Sequence, residues 1–184
     1  MQIIETAIPD VKIIKPKRFG DQRGFFSETY RKELLAAAGI SVEFVQDNHS
    51  MSVERGVVRG LHYQIDPHAQ TKLVRVVRGA VFDVAVDIRR SSATFGKHVS
   101  VVLSAEEWNQ VLIPRGFAHG FCTLEANTEV VYKVDDYWSS ECERGILWND
   151  PQLGIDWPIL TEQAILSGKD ARYPLFGKAT DLFP

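Results

Sequence analysis

The feature that most constrains this chain is a succession of short, valine-rich runs broken by Gly, Pro, Asp and Asn. They read VKIIKPKRFGD, VEFVQDNHSMS, GVVRGLHYQI, KLVRVVRGAVFDVAVDIRR, KHVSVVLS, WNQVLIPRG, HGFCTL and EVVYKVDDYW. β-Branched side chains suit a pleated, half-buried surface. After Gly79 the alternation is explicit. Phe82, Val84, Val86 and Ile88 fall on one face, and Val81, Asp83, Ala85 and Asp87 on the other. Many short strands at this spacing predict an all-β sandwich or barrel. Helices are few. Ser27 is the expected cap of SETYRKELLAAAG, with Tyr30, Leu34 and Ala37 or Ala38 on its buried face and Gly39 as its stop. Ser104 with Glu107 reads as a capping box on one short turn, and Thr161 opens a short helix, TEQAILS, ending near Gly168. The tail after Pro158 is expected to wrap the core.

Length and charge narrow the function. A chain of 184 residues fits one domain, 1–184, and buries roughly 70% of the surface its unfolded form exposes. The net charge is −3, which gives no electrostatic case for nucleic acid as the partner. Cys122 and Cys142 stand in no CxxC or zinc spacing, so a reducing, cytoplasmic setting is expected. The start, MQIIETAIPDVKIIKPKRF, lacks the order of a signal peptide, and no stretch approaches 18 consecutive apolar residues. No membrane partner is expected.

Several chemistries lack their motif. There is no GxGxxG after a strand, no GxxxxGK[ST] and no GxSxG elbow. A metal site would need a close set such as HxH, but the residue two after His62 is Gln64, an amide and a poor ligand for a transition metal. No metal is therefore assigned.

Three segments do concentrate groups for proton transfer and anion binding. VVRGLHYQ carries Arg59 and His62, QTKLVRV places Lys72 at the start of a strand, and EVVYKVDDYW projects Tyr132 from the face it shares with Val130 and Val134. His62 is a candidate base, because an imidazole titrates near neutral pH. Lys72 is either a strand-edge gatekeeper or an ammonium aimed into the barrel. Base, cation and weak acid form the set that removes a proton beside a carbonyl, holds the enolate and returns a proton. Arg23, Arg59, His119 and the run Gln46-Asp47-Asn48 suit phosphate and sugar. Strict alternation puts Arg59 and His62 on opposite faces, so Gly60 must host a bulge or bend if both reach one pocket.

These residues fall into eight ordered motifs that resemble the dTDP-4-dehydrorhamnose 3,5-epimerase family nearly end to end. They are D-x-R-G-x-F from Asp21 to Phe26, Gln46-Asp47-Asn48, R-G-L-H-Y-Q at 59–64, K-L-V-R-V from Lys72, I-P-x-G-F-A-H-G-F at 113–121, Y-K-x-D at 132–135, W-N-D-P at 148–151 and L-S-x-K-D at 166–170. The resemblance implies a cupin-like jelly-roll barrel with a few short peripheral helices. It also implies a cofactor-free epimerase acting on dTDP-4-dehydro-6-deoxy-D-glucose at C3 and C5 of the hexose. Position by position, His62 matches the base and Asp170 the carboxylate that orients it. Lys72 matches the group that steadies the enolate oxygen, and Tyr132 the acid on the opposite face. Arg23, Glu28, Gln46, Asp47, Asn48, Arg59, Lys72, His119, Glu143 and Lys169 match the nucleotide-sugar contacts. The aromatic that stacks on thymine matches Trp138, with Tyr137 just before it as the alternative. The family's homodimers further imply that Arg23 and Glu28 act across the interface.

Three rivals share parts of this pattern: a single-centre epimerase or ketoisomerase on a related dTDP-keto-sugar, a metal cupin, and a non-catalytic sugar-binding module.

Overall fold

The computed structural model describes residues 1–184. Numbered in chain order, the first elements are β1 (Gln2–Glu5), β2 (Lys12–Lys15), β3 (Arg18–Asp21), β4 (Gly24–Ser27), the single helix α1 (Lys32–Ala37) and β5 (Gln46–Ser52). Next come β6 (Val58–Gln64), β7 (Lys72–Arg78), β8 (Ala80–Asp87) and β9 (His98–Ser104). The last strands are β10 (Gln110–Ile113), β11 (Phe117–Thr123), β12 (Thr128–Val134) and β13 (Glu143–Gly145). One sheet has six strands in the order β1-β2-β10-β7-β12-β5, and a second has five in the order β13-β6-β11-β8-β9. Strands β3 and β4 pair only with each other, as a hairpin. All pairings within these sheets are antiparallel. This is the all-β, jelly-roll architecture that the runs and the resemblance predict.

The sheets enclose one apolar core. Val74, Val76 and Val130 from the six-stranded sheet meet Val81, Ala85, Phe117 and Phe121 from the other. The opposite face of β8 is apolar as well. Val84, Val86 and Ile88 pack with Leu61 and Ala118 beneath Ile146, Leu153, Phe176 and Ala179. The chain after β13 thus wraps the five-stranded sheet, as expected of the tail, and keeps water from both faces of β8. Each fully buried Val or Leu of this kind contributes about 1.5–3 kcal/mol. A third cluster, Ile14, Leu35, Leu73 and Leu112, seats α1 on the outside of the six-stranded sheet.

The helix expectations need correction. Ser27 ends β4 rather than capping a helix, and its Oγ accepts a hydrogen bond from Trp108 Nε1 at 3.0 Å. Phe25 also lies edge-on to Trp108 at 4.8 Å. These contacts keep the segment in the hairpin, and α1 starts only at Lys32 with no side-chain cap. Its buried residue is Leu35, while Leu34 is exposed. Gly39 does follow the helix, at φ +79°, where glycine is unstrained. Thr161 opens a single 3-10 turn, Thr161–Gln163, because Ile165 leaves to bridge Val57. At Ser104 half of the box forms. The Glu107 N–H donates to Ser104 Oγ at 3.0 Å, while the Glu107 carboxylate turns away to Lys15 at 2.8 Å.

The expected irregularity at Gly60 is present. In the β6–β11 pairing His62 faces His119, yet Arg59 faces Phe121, so β6 carries one extra residue. Gly60 sits at φ +132°, and a Cβ there would lie 2.5 Å from Gly120 Cα and 2.8 Å from the His119 carbonyl oxygen. Only glycine fits so close an approach. Gly60→Ala is expected to lower stability by about 1–3 kcal/mol. It should also weaken substrate binding by shifting Arg59 against His62. Thermal denaturation and KM measure the two effects, and an unchanged Tm would contradict the crowding.

Candidate active site

Strand β6 delivers His62 to a cleft between the sheets, on a strand where only Arg59 and His62 are partly exposed. Its Nε2 lies 2.5 Å from Asp170 Oδ1. Asp170 is only 4% exposed and stands in the 3-10 turn Asp170–Arg172. Its other oxygen accepts from Ser167 Oγ at 2.9 Å, and its own N–H donates to that hydroxyl at 3.1 Å. Burial pushes this carboxyl up, but the bond and charge of His62, with help from Ser167 and Lys169, hold it below its ordinary range. A carboxylate so placed fixes the proton on Nε2 of His62 and stabilises the imidazolium after proton uptake.

Lys72 opens β7, an interior strand, and is 9% exposed, so its ammonium aims inward rather than guarding an edge. Burial pushes the amine down to about 8, with Asp83 and Glu143 pulling the other way. Tyr132 projects from β12 against the core between Val130 and Val134, as the period of two predicts. Burial raises its phenol, Arg59 opposes the shift, and Glu143 adds to it. His62, Lys72 and Tyr132 line two adjoining lobes of one cleft. The larger lobe, about 290 Å³, adds Ser50, Arg59, His119 and Lys169. The smaller, about 110 Å³, adds Gln46, Asn48, Trp138 and Glu143.

These neighbours are themselves tied down. Arg59 donates to Ser52 Oγ at 3.2 Å and to the Met51 carbonyl at 3.1 Å. His119 Nε2 lies 2.8 Å from Asp83 Oδ2, and Lys169 is ion-paired with Glu143. Gln46 donates to Asn48 Oδ1 at 2.8 Å and accepts from the Trp138 N–H at 3.2 Å. Trp138 lines the smaller lobe and Tyr137 does not. Gln64 holds the rim, donating to the carbonyls of His68 and Tyr137 and accepting from the Ser139 N–H. No three His, Cys, Asp or Glu side chains converge as a cation site.

Three expected residues lie elsewhere. Asp47 falls between Gln46 and Asn48, so the strand period turns it to the outer face of the sheet, where it pairs with Lys133 at 2.8 Å. Arg23 is largely exposed at the end of the β3–β4 hairpin and bonded to Asp21 of its own turn at 2.6 Å. Glu28 lies 3.6 Å from Arg31, outside the cleft. Conversely, the sequence reading gave no role to Asp83 or Tyr173, yet both abut the site. The Tyr173 ring stands edge-on to His62 at 5.6 Å. A carboxylate inside the run VFDVAVD was the available signal for Asp83.

Comparisons with known proteins place these features in context. A sequence model described as dTDP-4-dehydrorhamnose 3,5-epimerase matches residues 5–178. A Shigella flexneri protein of that name is 57% identical over 171 residues, covering 92% of this chain and 93% of the relative. Among solved structures, a Bacillus anthracis dTDP-4-dehydrorhamnose 3,5-epimerase with TDP and PPi bound superposes with a TM-score of 0.92 at 50% identity, covering 95% of this chain and 98% of the other. A Legionella pneumophila dTDP-6-deoxy-D-glucose-3,5-epimerase in complex with dTDP-4-keto-L-rhamnose gives 0.92 at 51% identity, covering 97% and 94%.

The Asp170 carboxyl is held low in the folded protein, so its stabilising contribution is present above the unfolded value near 4 and is lost as pH falls through the folded value. Asp170→Asn is therefore expected to cost about 1–2 kcal/mol at neutral pH. That difference should shrink toward zero in strong acid. Denaturant titrations at several pH values measure it, and a pH-independent difference would contradict the ionic account.

Proposed function

This chain belongs to the dTDP-4-dehydrorhamnose 3,5-epimerase family, and from that premise we propose that its cleft inverts C3 and C5 of the hexose in dTDP-4-dehydro-6-deoxy-D-glucose, giving dTDP-4-dehydro-L-rhamnose. The enzyme is an isomerase. The observation that carries the proposal is that His62, Lys72 and Tyr132 line one cleft while Asp170 grips the imidazole.

The 4-keto group makes both flanking C–H bonds acidic once its developing charge is met. His62, its Nε2 proton committed to Asp170, takes the proton from carbon, and the C–H electron pair moves into the C–C bond as the carbonyl becomes an enolate. The Lys72 ammonium donates to that oxygen, a contribution of roughly 3–4 kcal/mol for a good donor. Tyr132 then gives its proton to the same carbon from the opposite face, and solvent exchange restores both groups. Two groups are needed, since one would return the proton to the face it left. No step changes an oxidation state.

The larger lobe offers Arg59, His119 and Lys169 to the diphosphate, and Trp138 in the smaller lobe offers an indole face to thymine, worth about 1–3 kcal/mol. Arg23 and Glu28 serve a partner's cleft in a homodimer. The exposure of Phe19, Phe25 and Phe26 on the same hairpin supports that reading. Residues 1–184 act as one epimerase domain, since Asp170 near the end of the chain completes the site begun at β6. No helix is long and apolar enough to cross a membrane, and the buried free thiols of Cys122 and Cys142 suit a reducing cytoplasm.

Incubation with the thymidine-linked keto sugar in deuterated water should place two deuterons on the hexose. One would favour the single-centre reading, and none would sink the function. Activity should persist in excess chelator, which a metal cupin would not allow. His62→Ala should slow exchange at carbon by roughly 10²–10⁴-fold. Tyr132→Phe should retain more exchange than net epimerisation, and an equal loss of both would contradict the separate acid.

A further inference from the structure

Asp83 is a buried carboxylate that this mechanism does not use. It sits in β8 at 1% exposure, with Oδ2 accepting from His119 Nε2 at 2.8 Å and Oδ1 left without a hydrogen-bond partner. Leaving a buried ionised oxygen unpaired is costly, so such a group calls for an explanation. Its strand neighbours across β11 and β9 are Phe121 and Val101, which supply no countercharge.

Lys72 enters the same region from the facing sheet. It shares the larger lobe with His119, the residue that Asp83 holds, and it has no ion pair of its own among the salt bridges of the chain. The other groups facing the Lys72 amine come from every wall. Arg59 and His62 lie on β6, His119 on β11, Tyr132 on β12 and Glu143 on β13, with Lys169 and Asp170 from the C-terminal segment. Two of these are further cations, Arg59 and Lys169, which disfavour a third. Of the carboxylates, Asp170 is committed to His62 and Ser167, and Glu143 to Lys169. Among these carboxylates only Asp83 keeps a fully buried oxygen without a hydrogen-bond partner.

We propose that Asp83 is a positioning residue for the epimerase reaction, the buried countercharge that keeps the Lys72 amine an ammonium while its second oxygen orients His119. The proposal rests on the enolate-stabilising role given to Lys72 above. Without Asp83, burial among cations favours the neutral amine, which cannot meet the enolate with a positive charge. The direction of Asp83's effect on Lys72, raising it against burial, agrees with this arrangement.

Asp83→Asn tests the charge while keeping an oxygen that can accept from His119. In protein labelled with ¹⁵N at lysine Nζ, the Lys72 resonance is the one lost in Lys72→Met. Its titration midpoint should fall by about one pH unit in Asp83→Asn. The alkaline limb of kcat should move to lower pH by the same amount, with KM changed far less than kcat. An unmoved Lys72 midpoint in the folded variant would overturn the proposal. Should Asp83→Asn not fold, reciprocity supplies the alternative. In Lys72→Met the ¹³Cγ midpoint of Asp83 should rise, and an unchanged midpoint would equally overturn it. Both resonance measurements are made without substrate, so they stand or fall separately from the deuterium count that tests the epimerase function.

Discussion

The pairing of β6 with β11 is the constraint on which the site depends. These strands lie in the interior of the five-stranded sheet, and their register sets His62 opposite His119. A regular β6 would then turn Arg59 away from the cleft. The extra residue at Gly60 resets the alternation, so that an arginine and a histidine three positions apart reach the same lobe. The backbone of Gly120 closes on Gly60 from the other strand with no room for a side chain on either. Two glycines facing each other across a ladder are thus what lets one strand supply both a base and an anion-binding group.

Around that strand the cleft collects charge, with Lys72, Asp83 and Asp170 buried. Each carboxylate is matched individually: Asp170 with His62, Glu143 with Lys169, Asp83 with His119. Such pairing is the condition for keeping ions out of water at all, since an unpaired one would shift to its neutral form. Lys72 shows the tension directly, with burial drawing its amine to about 8 against the pull of Asp83 and Glu143. The site is therefore a balance of desolvation against specific neighbours.

Segments rich in helix-forming residues show how context overrules propensity. The stretch from Ser27 reads as a capped helix, yet Trp108, distant in sequence, binds both Phe25 and Ser27 and holds them in a hairpin. Only the last turns of the stretch become helical, and Leu35 rather than Leu34 faces the sheet. At Thr161 a strand-like bridge from Ile165 to Val57 cuts the helix to one turn. In each case a contact across the fold outweighed a local preference of a few tenths of a kcal/mol per residue.

Alternation by itself determined that the chain is built of strands, that β8 and β12 present the faces they do, and that Gly60 must break the pattern if Arg59 and His62 are to share a pocket, because side-chain direction in a strand is a local property. The ordered motifs likewise identified His62, Lys72, Tyr132 and Asp170. Tertiary structure alone decided which of the remaining residues share the cleft. Asp47 lies beside Gln46 and Asn48 in sequence but on the other side of the sheet, while Asp83, on the strand after the one that Lys72 opens, belongs to the other sheet and holds His119, which shares the cleft with Lys72. Which carboxylate neutralises which cation depends on how two sheets are stacked, and no property of a single strand encodes that.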